Sequence, residues 1–178
     1  MILSAGPGDV FVVRNIANLV PPHGHDEATS VAAAVWYATT VLQVTDIMVC
    51  GHSNCGGMKA LLEMEKAPDV HLGRWLAIAK DARNAWLEGN VFDPTLPSVD
   101  QLSQTCTLHQ LTNLRTHPSV AARVAEGKLN LHACWFDVAD GSVRLYSERE
   151  GRYVPALPEL ERVSIMPLPP RAASSSSP

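Results

Sequence analysis

The stretch of residues 44–62 constrains the fold more than any other part of the chain, because an apolar run there ends at a glycine-rich turn. Residues 47–50 are apolar and partly β-branched, a pattern typical of a buried strand that is covered on both faces. The strand is predicted to end at Gly51, and His52 and Cys55 follow before a helical pattern begins. Open α/β sheets bind ligands at the carboxyl ends of such strands. His52 and Cys55 are therefore candidate ligands.

The pairing of His52 with Cys55 favours one kind of metal. Imidazole nitrogen and thiolate sulfur bind zinc in preference to magnesium or calcium. Two ligands do not complete a tetrahedral zinc site, however, and a His-x-x-Cys spacing is common in proteins. A packed histidine beside an inert buried thiol would produce the same pattern, so the spacing alone leaves both interpretations open.

Cys55 has two further interpretations, because a helix is predicted to start directly after it. The dipole of that helix would lower the pKa of the thiol and make Cys55 a nucleophile. Alternatively, the backbone N–H groups of the first helical turn would bind a phosphate. Neither interpretation has a second motif in its support, since the chain contains no G-x-G-x-x-G or Walker pattern.

The other cysteines and histidines are interpreted as structural. Cys50 is expected to pack in the core, on the expectation that strand alternation turns it away from His52. Cys106 and Cys134 are expected to be small buried hydrophobic residues. The remaining histidines show no ligand spacing with one another and are expected at the surface or in structural hydrogen bonds; they are His23, His25, His71, His109, His117 and His132.

Composition limits the class of protein. A chain of 178 residues is long enough for one domain, expected over residues 1–166, before a disordered tail of Pro, Ala and Ser at residues 167–178. The formal net charge is -4 and no basic run occurs, which argues against nucleic acid or a membrane as partner. No membrane-spanning or signal-peptide pattern is present. With four scattered cysteines, these features predict a reducing, cytoplasmic location.

The order of the predicted elements indicates an α/β fold. A strand at residues 10–13, a helix capped by Thr29 or Ser30, the strand at residues 47–50 and the next helix alternate along the chain. This order favours a mostly parallel sheet flanked by helices. Further helices are predicted at about residues 71–87 and 100–115 and from Pro118, followed by strands at about residues 129–137 and 143–145 that are joined by an Asp140-Gly141 turn.

Three segments resemble signature segments of the β-class carbonic anhydrases. Residues 8–20 read Gly-Asp-Val-Phe-Val-Val-Arg-Asn-Ile-Ala-Asn-Leu-Val, and residues 50–58 read Cys-Gly-His-Ser-Asn-Cys-Gly-Gly-Met. The third match is Asn-Leu-Arg-Thr-His-Pro-Ser-Val at residues 113–120, followed by Gly-Lys-Leu-Asn-Leu-His at residues 127–132. The resemblance extends to about Met166, and it implies a zinc-dependent lyase that reversibly hydrates carbon dioxide to bicarbonate.

The resemblance also implies roles for particular residues. His52 and Cys55 match the histidine and the second cysteine of a zinc site that the family builds from two cysteines and one histidine. Other positions match the family's narrow apolar substrate pocket and a bicarbonate site away from the zinc. The pocket positions are Phe11, Ile16, Tyr37 and Gly56, and the bicarbonate positions are Arg14 and Tyr37. The family works as homodimers or higher homo-oligomers, so self-association is implied as well.

One departure from the family pattern has large consequences. The first zinc cysteine of the family lies in a Cys-x-Asp-x-Arg segment upstream of the position matched by Gly8, and that motif does not occur in this chain. The same segment supplies the Asp–Arg pair beside the metal, so no catalytic side chain is assigned here. Its strand would lie between those at residues 10–13 and 47–50. The expectation is therefore a family member that lacks an interior strand at its N-terminus, from a fragment or a shortened gene model.

Two functions from different classes follow from this departure. In the first, the parent protein is a carbonic anhydrase, while the present chain binds Zn²⁺ weakly and has doubtful activity. In the second, the chain is a non-catalytic relative that oligomerises or binds bicarbonate at Arg14 and Tyr37.

Overall fold

The computed structural model describes residues 5–25, 29–63 and 70–156. The predicted tail and the last ten residues of the predicted domain lie outside these ranges. Six α-helices and four strands are described, with short 3₁₀ turns at Ile16–Asn18 and Ala77–Ala79 and a π-helical turn at Tyr37–Val41. In chain order the elements are α1 (Ser30–Trp36), β1 (Asp46–His52), α2 (Gly56–Leu62), α3 (Val70–Leu76), α4 (Lys80–Leu87), α5 (Ser98–Thr116), α6 (Pro118–Ala125), β2 (Asn130–Phe136), β3 (Val143–Ser147) and β4 (Arg152–Pro155).

The described strands form one sheet in the order β1-β2-β3-β4. β1 and β2 are parallel, whereas β2–β3 and β3–β4 are antiparallel pairs. The α/β fold predicted from the element order is confirmed, and the described sheet is mixed. The predicted Asp140-Gly141 turn joins β2 to β3, with Gly141 at φ 76°. β4 was not predicted, because its four residues are too few to establish an alternating pattern.

Residues 10–13 do not form the predicted strand. Their side chains are exposed, from 43% for Val10 to 66% for Val12. A strand requires a neighbour to accept and donate its ladder hydrogen bonds, and within the described residues this segment has none. The prediction was wrong because β propensity indicates a strand only where a partner strand lies alongside. Correspondingly, β1 is an edge strand of the described sheet, paired only with β2.

β1 is buried on one face, not on both as predicted. Val49 and Gly51 are buried on the side that packs against α5, and the alternate residues Met48, Cys50 and His52 are exposed. The strand also continues through Gly51 instead of ending there. A Cβ atom at Gly51 would clash with the Thr107 hydroxyl of α5, so glycine allows the strand to approach this helix closely.

Helix α5 lies at the centre of the molecule, and its apolar residues contribute to two buried clusters. One cluster lies between α5, α1 and the sheet, and the other lies between α5, α2 and the α3–α4 region. Two predicted helix starts are confirmed: Thr29 caps α1 by accepting the backbone N–H of Ala32 at 3.1 Å, and Pro118 is the first residue of α6. The stretch predicted as one helix at about residues 71–87 forms α3 and α4, with the 3₁₀ turn Ala77–Ala79 between them. Predicted burial is confirmed for Cys106 and Cys134, which are both inaccessible to solvent.

Buried polar side chains on α5 and at the residue directly after it bind the loop that follows the first 3₁₀ turn. Gln110 accepts the backbone N–H of Val20 at 2.9 Å, and Asn113 donates to the carbonyl of the same residue at 2.9 Å. His117 Nε2 donates to the carbonyl oxygen of Pro21, also at 2.9 Å. These side chains provide the loop with partners that a neighbouring strand would otherwise supply. His117 therefore has the structural role that was predicted for it.

Candidate metal centre

His52 is the last residue of β1, and its ring is oriented by the turn that follows. The Nδ1 atom lies 2.8 Å from the carbonyl oxygen of Ser53. Since a carbonyl only accepts hydrogen bonds, Nδ1 carries the proton and donates it. The Nε2 atom consequently has a free lone pair, and the side chain is exposed. This is the tautomer in which metal-binding histidines are commonly held by a backbone carbonyl.

Cys55 lies on the other side of the same turn, immediately before α2. Only 4% of the residue is accessible to solvent, and it belongs to the cluster between α2 and α5. Asn54, between the two candidate ligands, has a left-handed backbone at φ 56°, which reverses the chain direction from strand to helix. The burial of Cys55 argues against the hypothesis of a solvent-accessible nucleophile, because such cysteines are partially exposed.

Hydrogen bonds with α5 and with the residue that follows β2 hold the turn in place. Asp100, in the first turn of α5, accepts the backbone N–H of Asn54 at 2.6 Å. Ser103 donates to the carbonyl of His52 at 3.0 Å, and the Ser53 hydroxyl donates to Asp137 at 3.1 Å. These supporting residues were not predicted from the sequence. An acidic residue at the start of a predicted helix was the available signal for Asp100, but its contact with a turn 46 positions earlier could not be predicted from the pattern.

No third ligand joins His52 and Cys55 in the part of the chain that the structure describes. Within it, no group of three or more His, Cys, Asp or Glu side chains is placed to hold a metal ion. The donor types of the two residues fit zinc, and the free Nε2 atom supports that fit. The described residues thus provide half of a tetrahedral site.

Cys50, the nearest cysteine in sequence, faces away from the core. The prediction that it packs inside was wrong, because residues two apart in a strand share a face, and Cys50 therefore lies on the exposed face with His52. Its Sγ atom is 3.5 Å from that of Cys134 on β2. This hydrogen bond lowers the pKa of Cys50. In contrast, burial raises the pKa of Cys106 to about 12.

The predicted pocket residues lie in two separate contacts. The rings of Phe11 and Tyr37 are 5.9 Å apart, and both side chains are exposed. Ile16 lies against α2, where a Cβ atom at Gly57 would be 3.3 Å from its Cγ2 atom. A Cβ atom at Gly56 would meet nothing within 4 Å, so the space beside the start of α2 is open.

Arg14, assigned by resemblance to a bicarbonate site with Tyr37, is exposed and makes no ion pair within the described ranges. Of the histidines predicted to be structural, His132 is partly exposed and lies 2.9 Å from the Asp46 carboxylate. This hydrogen bond is the main reason that the pKa of Asp46 is lowered. Neither Arg14 nor His132 is therefore joined to the His52–Cys55 turn by a described contact.

Comparison with known proteins identifies the family. A family model described as carbonic anhydrase matches residues 1–143. The chain belongs to the carbonic anhydrase family. A carbonic anhydrase of Pseudomonas aeruginosa strain PAO1 is 38% identical over 151 residues, which are 83% of this chain and 67% of the relative. The chain thus spans about two thirds of that carbonic anhydrase.

Solved structures place the chain in the β class. The β-carbonic anhydrase CcaA aligns with a TM-score of 0.80 and 30% identity, over 89% of this chain and 72% of the other. A tetrameric β-carbonic anhydrase of the filamentous ascomycete Sordaria macrospora aligns with a TM-score of 0.70 and 32% identity, over 81% and 71% of the two chains. The resemblance found in residues 8–20 and 50–58 is confirmed. The enzymes of this family are lyases. Among the described helices of this chain, none is long and apolar enough to cross a membrane.

Proposed function

We propose that this β-carbonic anhydrase chain belongs to a protein that reversibly hydrates carbon dioxide to bicarbonate, with Zn²⁺ held in part by His52 and Cys55. The orientation of His52 carries the proposal: its Nδ1–H group donates to the Ser53 carbonyl, so Nε2 is available as a ligand. Cys55 supplies a thiol from the other side of the turn. A bound zinc ion would supply a Lewis acid that lowers the pKa of a water molecule.

The residues around the turn suit a small apolar substrate. Ile16 contacts the start of α2, and the space beside Gly56 is open. Phe11 and Tyr37 form a separate aromatic pair, and their assignment to the same pocket rests on the resemblance to the family. Carbon dioxide has no net dipole and hydrogen-bonds weakly, so apolar walls would bind it without the need for a charged group.

The affinity for zinc is proposed to be low for this chain alone. Structural and catalytic zinc sites use at least three protein ligands, and the described residues offer two. Further ligands would come from outside the described residues. Hydration activity is then expected to follow zinc occupancy, because the water that reacts must be activated at neutral pH.

A zinc competition assay on the full 178-residue chain tests the proposal. A chromophoric chelator would report the affinity of the wild type, of His52→Ala and of Cys55→Ala, and stopped-flow carbon dioxide hydration would be measured at the same zinc concentrations. We expect weak binding in the wild type and a further loss in both variants. The matched control is His132→Ala, since this partly exposed histidine lies on β2 and binds Asp46 instead of the turn.

Two results would contradict the proposal. Unchanged zinc affinity in both His52→Ala and Cys55→Ala would show that neither residue binds zinc. Tight, stoichiometric zinc in the wild type would contradict the claim that two ligands leave the site incomplete.

The second candidate is a non-catalytic member that self-associates or binds bicarbonate. The observation in its favour is the lack of a third ligand within the described ranges, together with exposed apolar side chains at Phe11, Val12 and Trp36. One of the similar solved structures is described as tetrameric, which supports self-association of this chain. Light scattering after size-exclusion chromatography would show a dimer or larger species in the wild type and a smaller one in Trp36→Glu.

Bicarbonate binding is separated from self-association by a different variant. The ¹³C NMR signal of labelled bicarbonate should broaden when wild-type protein is added, and it should broaden less when Arg14→Gln is added. A stable oligomer that binds bicarbonate and shows no hydration at saturating zinc would favour this second function over the first.

A further inference from the structure

Two cysteines face each other across the parallel pair of β1 and β2. Cys50 and Cys134 are directly opposite in the strand register, and their Sγ atoms lie 3.5 Å apart. Neighbouring strands are separated by about 4.8 Å, which lies within the Cα separation of about 4.4–6.8 Å that disulfides span. Side-chain rotation can therefore bring the two sulfur atoms into bonding distance while the strands stay in register.

The two thiols differ in their access to solvent. Cys50 is exposed, whereas Cys134 is fully buried. The other two cysteines, Cys55 and Cys106, are also buried. A reagent in solution can thus reach Cys50 and no other thiol directly. Exposed cysteines next to a second, protected cysteine are typical of reversible oxidation sites.

We propose that Cys50 and Cys134 form an oxidisable dithiol whose reactant is a small-molecule disulfide of the glutathione class. In the first step the Cys50 sulfur attacks one sulfur of the reactant. The S–S bond of the reactant breaks, and one glutathione leaves as a thiol with the proton from Cys50.

In the second step the Cys134 sulfur attacks the Cys50 sulfur of the mixed disulfide. The bond to glutathione breaks, and the second glutathione leaves with the proton from Cys134. Two protein thiols are thereby oxidised by two electrons, and one glutathione disulfide is reduced to two thiols. Neither His52 nor Cys55 takes part in these two steps, although Cys50 lies on the same face of β1 as His52.

Mass spectrometry of the full chain treated with oxidised glutathione tests this site. The reaction is run with EDTA present, stopped with acid and analysed without reductant, as intact protein and as peptides. The wild type should release two glutathione thiols per chain and contain a Cys50–Cys134 link. Cys134→Ser should release one and retain glutathione on Cys50, and Cys50→Ser should release none. Cys106→Ala is the matched control, since it removes a buried cysteine and should still form the link.

The wild-type measurement alone can overturn the proposal, even where a variant fails to fold. Glutathione that stays on Cys50 in the wild type would show that Cys134 does not complete the reaction. A link that involves Cys55 or Cys106, or no loss of thiols, would equally contradict it. Circular dichroism before and after treatment would establish that the reacting protein is folded.

Discussion

The carboxylate of Asp100 accepts the backbone N–H of Asn54 at 2.6 Å, across 46 positions of sequence. Asn54 adopts a left-handed backbone, and Asp100 is 7% exposed. The bond connects the first turn of α5 to the segment between the two candidate zinc ligands. A buried carboxylate thus holds the backbone of the turn that carries His52 and Cys55.

Replacement of Asp100 by alanine should weaken both the fold and the metal site. Loss of a hydrogen bond to a charged group costs about 1.5–3 kcal/mol in the free energy of unfolding. Loss of a residue that orients metal ligands lowers affinity by about 10- to 100-fold. Urea unfolding and zinc competition measure the two effects. Asp81→Ala is the control, because Asp81 is exposed in the first turn of α4; a zinc affinity that is equal in the two variants would contradict the prediction.

The adjacent glycines at the start of α2 should differ in how strongly alanine destabilises the fold. A Cβ atom at Gly57 would lie 2.8 Å from the Cβ atom of Ala17, whereas one at Gly56 would meet nothing within 4 Å. We expect Gly57→Ala to reduce the free energy of unfolding by about 1–3 kcal/mol, which is typical of overpacking. Gly56→Ala should change it by less than about 1 kcal/mol. Urea unfolding of both variants checks the prediction, and equal midpoints would show that α2 shifts away from Ala17 at little cost.

The sequence was sufficient to predict features that depend on local chemistry. The Thr29 cap, the start of α6 at Pro118 and the strand–turn–helix around His52 follow from residue types and short spacings, and all are present. The family also follows from such short segments, since residues 8–20 and 50–58 carry the resemblance.

Features that depend on a distant neighbour could not be predicted in the same way. Residues 10–13 have the composition of a strand, but that state requires a partner strand, which the described residues do not provide. The burial of Asp100 depends on contact with a turn 46 positions away. The error at Cys50 had a different origin, because the two-residue period of a strand was available from the sequence and was applied incorrectly.

Tyr153 should make the stability of the protein fall at alkaline pH. Its hydroxyl donates to the carbonyl of Gln104 at 2.8 Å, and burial raises its pKa well above the ordinary value of about 10. The unfolded chain loses this proton first, so the stabilisation is complete below pH 10 and declines as pH rises above it, by at most about 1.4 kcal/mol per pH unit.

The variant Tyr153→Phe isolates this contribution. At pH 8 it should be less stable than the wild type by about 0.5–1.5 kcal/mol, because one hydrogen bond is lost. At pH 11 the difference should shrink, since the wild type alone loses the tyrosine contribution. Urea unfolding at the two pH values measures both differences. Tyr146→Phe, at a half-buried tyrosine on β3, serves as control; a difference for Tyr153→Phe that stays constant with pH would contradict the assignment.

Alkylation should distinguish Cys50 from Cys55 in the folded chain. Iodoacetamide with EDTA present is expected to label the exposed Cys50 first, and to label Cys55 only after denaturant is added, because 4% exposure leaves little access. Peptide mapping over time gives the order of labelling. Rapid labelling of Cys55 before Cys50 would instead restore the hypothesis of a nucleophile at the start of α2.

The hydrogen bonds that Gln110, Asn113 and His117 make to Val20 and Pro21 have a consequence for synthesis of the chain. They join positions that are 90, 93 and 96 residues apart. Gln110, Asn113 and His117 leave the ribosome long after Val20 and Pro21. The loop that carries Val20 and Pro21, and with it the neighbouring Ile16 turn, therefore waits undocked during most of translation and reaches its place after the end of α5 has emerged.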